Sequence, residues 1–201
     1  MASASFTCII LAAGEGRRAG GYKPLMPLGA GAVVDRVIAA AAKVADVRVV
    51  GGHGFERLES HLKRCWPAVS VVRNDRWERG MFSSVQTGLA GVDTAAFVHP
   101  ADVPGPGTEI YEALVAAYGR DPRDVVRPTF GGRRGHPILL SPEAVRAVRE
   151  ADPEATLREV LAPLEGADVP VEDDLVLFDF DTLEELAALR ARLGVDPARG
   201  G

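Results

Sequence analysis

Ile9-Ile10-Leu11-Ala12-Ala13-Gly14-Glu15-Gly16-Arg17-Arg18-Ala19-Gly20-Gly21-Tyr22-Lys23 is the stretch that decides the fold. The run from Phe6 to Leu11 is apolar and β-branched, reads as a strand buried on both faces, and empties straight into glycine. Gly14, Gly16, Gly20 and Gly21 let the backbone turn sharply or approach a ligand closely. Arg17, Arg18 and Lys23 outweigh the one acid, Glu15. Such a loop suits an anion, above all a phosphate chain; the competing reading is a surface loop with incidental arginines.

Outward from this stretch the chain alternates. Pro24-Leu25-Met26-Pro27-Leu28-Gly29 forbids an immediate helix, after which Val33, Val34, Val37, Ile38, Ala41 and Val44 recur at helical spacing. A second strand is expected at Asp46 to Val50, a helix through Phe55, Leu58 and Leu62, and a third strand at Val69 to Val72. A helix from Gly80 carries Met81, Val85 and Leu89 on one face. A fourth strand, Ala95 to Val98, runs into His99-Pro100-Ala101-Asp102-Val103-Pro104 and a helix through Ile110, Leu114 and Tyr118 to Gly119.

Asp124 to Phe130 and His136 to Leu140 read as strands around a tight Gly131–Gly135 loop. Ser141-Pro142 and Asp152-Pro153 each resemble an N-cap followed by an N1 proline. Leu175 to Phe178 reads as a strand, Asp181-Thr182-Leu183-Glu184 as a capping box, and Leu183, Leu186 and Leu189 as the closing helix. The pattern predicts an α/β fold with a mostly parallel sheet, helices on both faces and a small antiparallel edge. Its ligands belong at the carboxyl ends of the strands, where the strand order reverses.

With 201 residues, one domain is expected, with a core over about 6–193 and a C-terminal tail at 194–201. A formal net charge of −5 leaves no footprint for non-specific nucleic-acid binding. Cys8 and Cys65 are too few and too poorly spaced for a disulfide framework or a zinc site. No targeting segment, membrane span or lipidation motif is read, so a cytoplasmic, reducing location is expected.

Several chemistries use a glycine loop. Gly14-Glu15-Gly16-Arg17-Arg18-Ala19 fits the loose dinucleotide pattern, but no helix begins at the glycines. The second strand ends in Gly51-Gly52 instead of an acid for a ribose. The P-loop pattern fails because Pro24 follows Lys23. Asp102, held between prolines at a strand end, suits Mg²⁺, with an Asx turn as the competing reading.

Asp179 and Asp181 are further candidate ligands, though Asp181 also reads as a helix cap. Trp77, Ser83, Ser84 and the helix start beside them can face a base or phosphate, and Arg133, Arg134 and His136 a second anionic substrate. His53 and His61 lack metal-ligand spacing. No carrier for covalent catalysis stands out. Phosphoryl or nucleotidyl transfer needs none: two anions must be positioned and charge neutralised.

With these pieces in place, the sequence resembles the MobA-like nucleotidyltransferases, in particular their molybdenum cofactor cytidylyltransferase branch. Leu11-Ala12-Ala13-Gly14 with Arg18, Gly20, Lys23 and Pro24-Leu25 matches the signature loop. Trp77, Gly80-Met81, Ser83-Ser84 and Gly88-Leu89 match a second motif. Pro100-Ala101-Asp102-Val103-Pro104, Arg134-Gly135-His136-Pro137 and Asp179-Phe180-Asp181-Thr182 match three more, from about Ile9 to Leu186.

The resemblance implies transfer of CMP from CTP to the terminal phosphate of molybdopterin, or of its molybdenum-loaded form, with release of pyrophosphate. Arg18 and Lys23 would hold the triphosphate, Asp102 the Mg²⁺, and Leu11, Ala12, Ala13, Gly14, Glu15, Gly16, Arg17, Ser83 and Ser84 the nucleotide. Arg134 and His136 would meet the acceptor. Guanylyl-transferring relatives read Leu-Ala-Gly-Gly in the loop, so Ala13 points to cytosine, by the ~1–3 kcal/mol that a methyl group discriminates. Ala19 stands where the family usually has Met or Phe, and Leu183 where it usually has Pro. Three alternatives stay open: another acceptor or GTP, a non-catalytic cofactor-binding factor that matures a molybdenum hydroxylase, and an NAD(P)H-dependent oxidoreductase.

Overall fold

The computed structural model describes residues 6–16 and 19–195. The first strand, β1 (Thr7–Ala12), sends Cys8, Ile10 and Ala12 into one apolar layer and Ile9 and Leu11 into another, as the period-2 pleat requires. A short hairpin, β2 (Pro27–Leu28) with β3 (Gly31–Ala32), leads into α1 (Val33–Ala41). Then follow β4 (Asp46–Gly51), α2 (Phe55–Cys65), β5 (Ser70–Arg73), α3 (Met81–Leu89), β6 (Ala96–Pro100) and α4 (Thr108–Arg120).

The second half comprises β7 (Val125–Phe130), β8 (Arg133–Arg134), β9 (Ile138–Leu140), α5 (Pro142–Glu150), α6 (Leu157–Leu161), β10 (Gly166–Pro170) and α7 (Leu183–Leu193). The main sheet runs β10-β7-β9-β6-β1-β4-β5, with β8 on β7. Its β6-β1-β4-β5 part is parallel, as is the β10-β7 pair. Antiparallel pairing is confined to β8 at the rim and β9 between β6 and β7.

Helices α1, α2 and α4 cover one face through Val37, Ile38, Leu58, Leu62, Tyr111 and Leu114. Helices α3, α5 and α6 cover the other through Val85, Leu89, Val145, Val148 and Leu161. Helix α7 packs Leu186 and Leu189 on Leu28, Val33, Leu175 and Phe180, closing the sheet's carboxyl end. Among the described residues, no helix is long and apolar enough to cross a membrane.

Where the chain departs from the sequence expectations, the cause is local. Leu175 to Phe178 is not a strand: Asp174–Leu177 forms a 3-10 turn, begun by the Asp173 side chain accepting from the Leu175 N–H at 2.9 Å. Asp152-Pro153 opens no helix, because Asp152 accepts from Glu154 N–H in a turn. Helix α6 starts at Leu157, with a capping box between Thr156 and Glu159. The box on α7 pairs Thr182 with Glu185, which leaves the Asp181 carboxylate out of the cap and turned elsewhere.

The Gly131–Gly135 loop is itself a hairpin, whose returning strand is Arg133–Arg134. Helix α1 ends at Ala41, before Val44. Met81 and Leu183 are exposed, each as the first residue of its helix. Strand β10 carries a proline and alternate exposed residues, which an edge position tolerates.

Candidate active site

Strand order reverses between β1 and β6: from β1 the sheet grows one way through β4 and β5, while β6 lies on the other side. A cleft of about 360 Å³ opens at the carboxyl ends of these two strands. One wall is the signature loop, with Leu11, Ala12, Ala13, Gly14, Gly16 and Lys23. The other is formed by Pro100 to Asp102, with Trp77, Gly80, Met81 and Ser84 at the α3 end.

The loop is pinned at its base, where the buried Tyr22 hydroxyl donates to the Ala12 carbonyl at 2.6 Å. At Gly16, φ is +68° and an added Cβ would lie 2.5 Å from the Gly21 carbonyl oxygen, so only glycine lets the loop fold back on itself. Gly52 does the same for the opposite lip: a Cβ there would lie 2.5 Å from Trp77 Cβ and 3.0 Å from Ala13 Cβ. The Trp77 ring stands edge-on to His53, with centroids 5.5 Å apart.

Helix α3 enters the cleft with no side-chain cap on its first N–H groups. Its start is tied to the end of β5 by Asn74, which donates to Ser83 Oγ at 2.9 Å and Ser84 Oγ at 3.0 Å and accepts from Arg76 N–H. Ser83 is thereby turned to the backbone carbonyls of Arg76 and Gly80, and of the two serines only Ser84 lines the cleft. Asn74 is 2% exposed and both polar atoms of its side chain are engaged. Asn74→Ala is expected to cost about 2 kcal/mol, because the α3 start loses buried hydrogen bonds. An unchanged urea midpoint would sink that assignment.

The charged centre of the cleft is Lys23. Its Nζ donates to Asp181 Oδ1 at 2.7 Å and to Asp102 Oδ2 at 3.4 Å, and lies 5.3 Å from the centroid of the buried Phe180 ring. Burial raises the Asp102 carboxyl above the usual carboxylate range. The Lys23 ammonium pulls it back, and the nearby Asp179 adds to the rise. The turn that carries Asp102 is held on three sides: Ala101 N–H donates to the Leu11 carbonyl, Phe180 N–H to the Asp102 carbonyl, and His99 Nε2 to the Val103 carbonyl.

Of the residues expected at the site, the fold brings Leu11, Ala12, Ala13, Gly14, Gly16, Lys23, Ser84 and Asp102 onto one cleft and joins Asp181 to it through Lys23. Arg17 and Arg18 lie outside the described residues. Glu15 and Ser83 are not on the cleft wall. Asp179 is exposed, within electrostatic reach of Asp102 and His136.

Arg134 and His136 are not brought together as a clamp. Arg134 is exposed and grips the Asp168 carboxylate with three contacts of 3.0 to 3.1 Å. His136 is largely buried, which pushes its pKa down, and its Nδ1 has no hydrogen-bond partner among the described residues. Tyr22, Gly52, Asn74 and His99 carry no role in the sequence reading. Only the glycine, adjoining Gly51 at a strand end, leaves a local signal for close backbone approach.

A mostly parallel sheet with a glycine loop after its first strand, a cleft at the strand-order reversal and a lysine held between carboxylates make the fold and site of a nucleotidyltransferase-like protein. Residues 8–169 match the model of the MobA-like NTP transferase domain, and the chain belongs to that family. It is similar to the molybdenum cofactor cytidylyltransferase of Escherichia coli (strain K12), 24% identical over 188 residues, 92% of this chain and 95% of that one.

It is also similar to the molybdenum cofactor guanylyltransferase of Mesorhizobium japonicum, 27% identical over 140 residues, 69% of this chain and 67% of that one. Among solved structures, Rv0371c of Mycobacterium tuberculosis H37Rv in complex with manganese gives a TM-score of 0.73 at 16% identity, covering 93% of this chain and 98% of that one. The chain is thus a nucleotidyltransferase related to the cytidylyl- and guanylyltransferases of the molybdenum cofactor.

Proposed function

We propose that this protein transfers CMP from CTP to the terminal phosphate of a molybdopterin-type cofactor, in a cytoplasmic setting and on behalf of a molybdenum hydroxylase. A terminal phosphate oxygen of the acceptor attacks the α-phosphorus of CTP, the bond from that phosphorus to the bridging oxygen breaks, and pyrophosphate leaves with the electron pair. No proton has to be removed from the attacking group, so the residues' task is placement and charge. The observation that carries this reading is Lys23 between Asp102 and Asp181, in a cleft whose other wall is a glycine loop.

In this reading Leu11, Ala12, Ala13 and Ser84 meet the base and ribose. Gly14, Gly16, Arg17, Arg18 and Lys23 hold the triphosphate, with Glu15 inside the same loop. His136, whose buried Nδ1 has no partner among the described residues, is the acceptor-side group, while Arg134 stays on Asp168.

Mg²⁺ fits the donor set. Lys23 already marks a place where one cation lies between two carboxylates, and Mg²⁺ takes one or two carboxylates together with phosphate oxygens and water. Asp102 and Asp181, the two carboxylates on Lys23, would hold it, and among the described residues no third acid or histidine joins them in a metal-binding group. When bound, it neutralises charge on the phosphates and the leaving pyrophosphate.

The test is a nucleotide panel. CTP with Mg²⁺ is expected to raise the melting temperature more than GTP, ATP or NAD(P)H, and adding molybdopterin to the CTP complex should release pyrophosphate. A clear preference for GTP overturns the base assignment. Tight cofactor binding with no pyrophosphate overturns the transferase reading.

A further inference from the structure

We propose that His99 is a positioning residue that sets the Asp102 carboxylate through the Val103 carbonyl. This rests on the reading of Asp102 as a group that meets the nucleotide and its metal ion. His99 is fully buried on β6, three residues before Asp102, and burial pushes its pKa down to about 3, so the ring is neutral. A neutral imidazole has one N–H. Nε2 faces the Val103 carbonyl at 2.8 Å, an acceptor only, so the proton sits on Nε2 and Nδ1 accepts from the Tyr111 hydroxyl.

Tyr111 is also fully buried and meets the Cys8 thiol of β1. The Val103 carbonyl, which can only accept, therefore dictates the tautomer, and the Tyr111 hydroxyl, which can donate or accept, fits it. The ring's single proton goes to the turn Pro100–Pro104.

That turn is also tied at its two ends: Ala101 N–H donates to the Leu11 carbonyl at 2.9 Å, and the Arg36 guanidinium donates to the Pro104 carbonyl at 2.9 Å. The Asp102 carbonyl accepts from Phe180 N–H, and Val103 N–H donates weakly to the Pro100 carbonyl at 3.2 Å. Between those ends the His99 contact fixes the Val103–Pro104 peptide, one residue beyond Asp102, and Phe180 N–H on the Asp102 carbonyl ties the same turn to the segment that carries Asp181, the other carboxylate on Lys23. A buried histidine costs a hydrogen-bonding obligation that an apolar residue would avoid. Here it is spent on one carbonyl beside the site.

Two substitutions separate positioning from mere core support. His99→Gln keeps an N–H at the reach of Nε2 and so keeps the Val103 bond. His99→Asn keeps an acceptor at the place of Nδ1 and so keeps the Tyr111 bond instead. Each loses one buried hydrogen bond, and Tyr111→Phe is a third variant that leaves the Val103 bond in place.

The readouts are Mn²⁺ affinity by electron paramagnetic resonance, kcat and KM for pyrophosphate release, and melting temperature. His99→Asn is expected to weaken Mn²⁺ binding and lower kcat by about 10- to 100-fold, the usual cost of losing a group that orients a metal ligand. His99→Gln and Tyr111→Phe stay close to the unmodified protein in both. Equal losses in the Asn and Gln variants overturn the proposal, as does a fall in melting temperature with Mn²⁺ affinity unmoved. If the unmodified protein releases no pyrophosphate yet the variants still separate in Mn²⁺ affinity, the transferase reading fails and the positioning role stands.

Discussion

Lys23→Met lowers pyrophosphate release at saturating substrate by about a thousandfold, the scale at which a preorganised charge contributes to a transition state. It also moves the acidic limb of the pH–rate profile to higher pH. The direction is set by Asp102. Burial already raises its pKa, and the chief opposing influence is the Lys23 ammonium 3.4 Å away. Without that cation the carboxyl holds its proton to still higher pH, and a protonated Asp102 is a poor ligand for a metal ion. Activity is therefore lost earlier on acidification. Measuring kcat/KM against pH for both proteins checks this, and an acidic limb that does not move would show that Lys23 and Asp102 are not coupled.

Gly88→Ala is expected to destabilise the fold by about 3 kcal/mol, against the ordinary gain from replacing a helical glycine by alanine, about 1 kcal/mol. Two effects oppose each other here, and contact wins. A Cβ at position 88 would lie 2.2 Å from Ile9 Cγ2 and 2.9 Å from Val50 Cγ2, and both side chains are fully buried under α3. Neither branched side chain has space to retreat, so α3 must lift from β1 and β4. For a chain of this size the melting temperature falls by roughly 6–12 °C. A stabilised variant would mean that α3 does not sit so close to the sheet.

The βα alternation is legible because each early strand is a continuous apolar run, and each helix repeats its apolar residues every three or four positions. Legibility fades after Leu140. There β10 alternates weakly as an edge strand with Ala167 and Val169 half-buried, and the apolar Leu175 and Val176 pack as a turn against Gly105 and Gly135, which have no side chain to keep them away. Asp102 can be picked out from its prolines, and the loop from its glycines and basic residues.

Asn74 and His99 cannot be found that way. Their partners, the α3 serines for one and Val103 and Tyr111 for the other, become meaningful only once β5, β6 and their helices are packed. Asp181 illustrates the opposite error. A helix cap explained it locally, but Thr182 does the capping, and the carboxylate is turned to a lysine far away in sequence.

That distance has a consequence for how the protein is made. Lys23 and Asp181 are 158 residues apart, and the turn around Phe180 arrives after every strand of the main sheet has been synthesised. Chains are translated from the N-terminus at roughly 5–20 residues per second, and their early parts fold first. The glycine loop and Asp102 can therefore assemble on the ribosome while the second acid is still missing. The charge balance around Lys23 is completed only by a segment that follows the last strand of the main sheet, so the strands and the glycine loop precede the second acid.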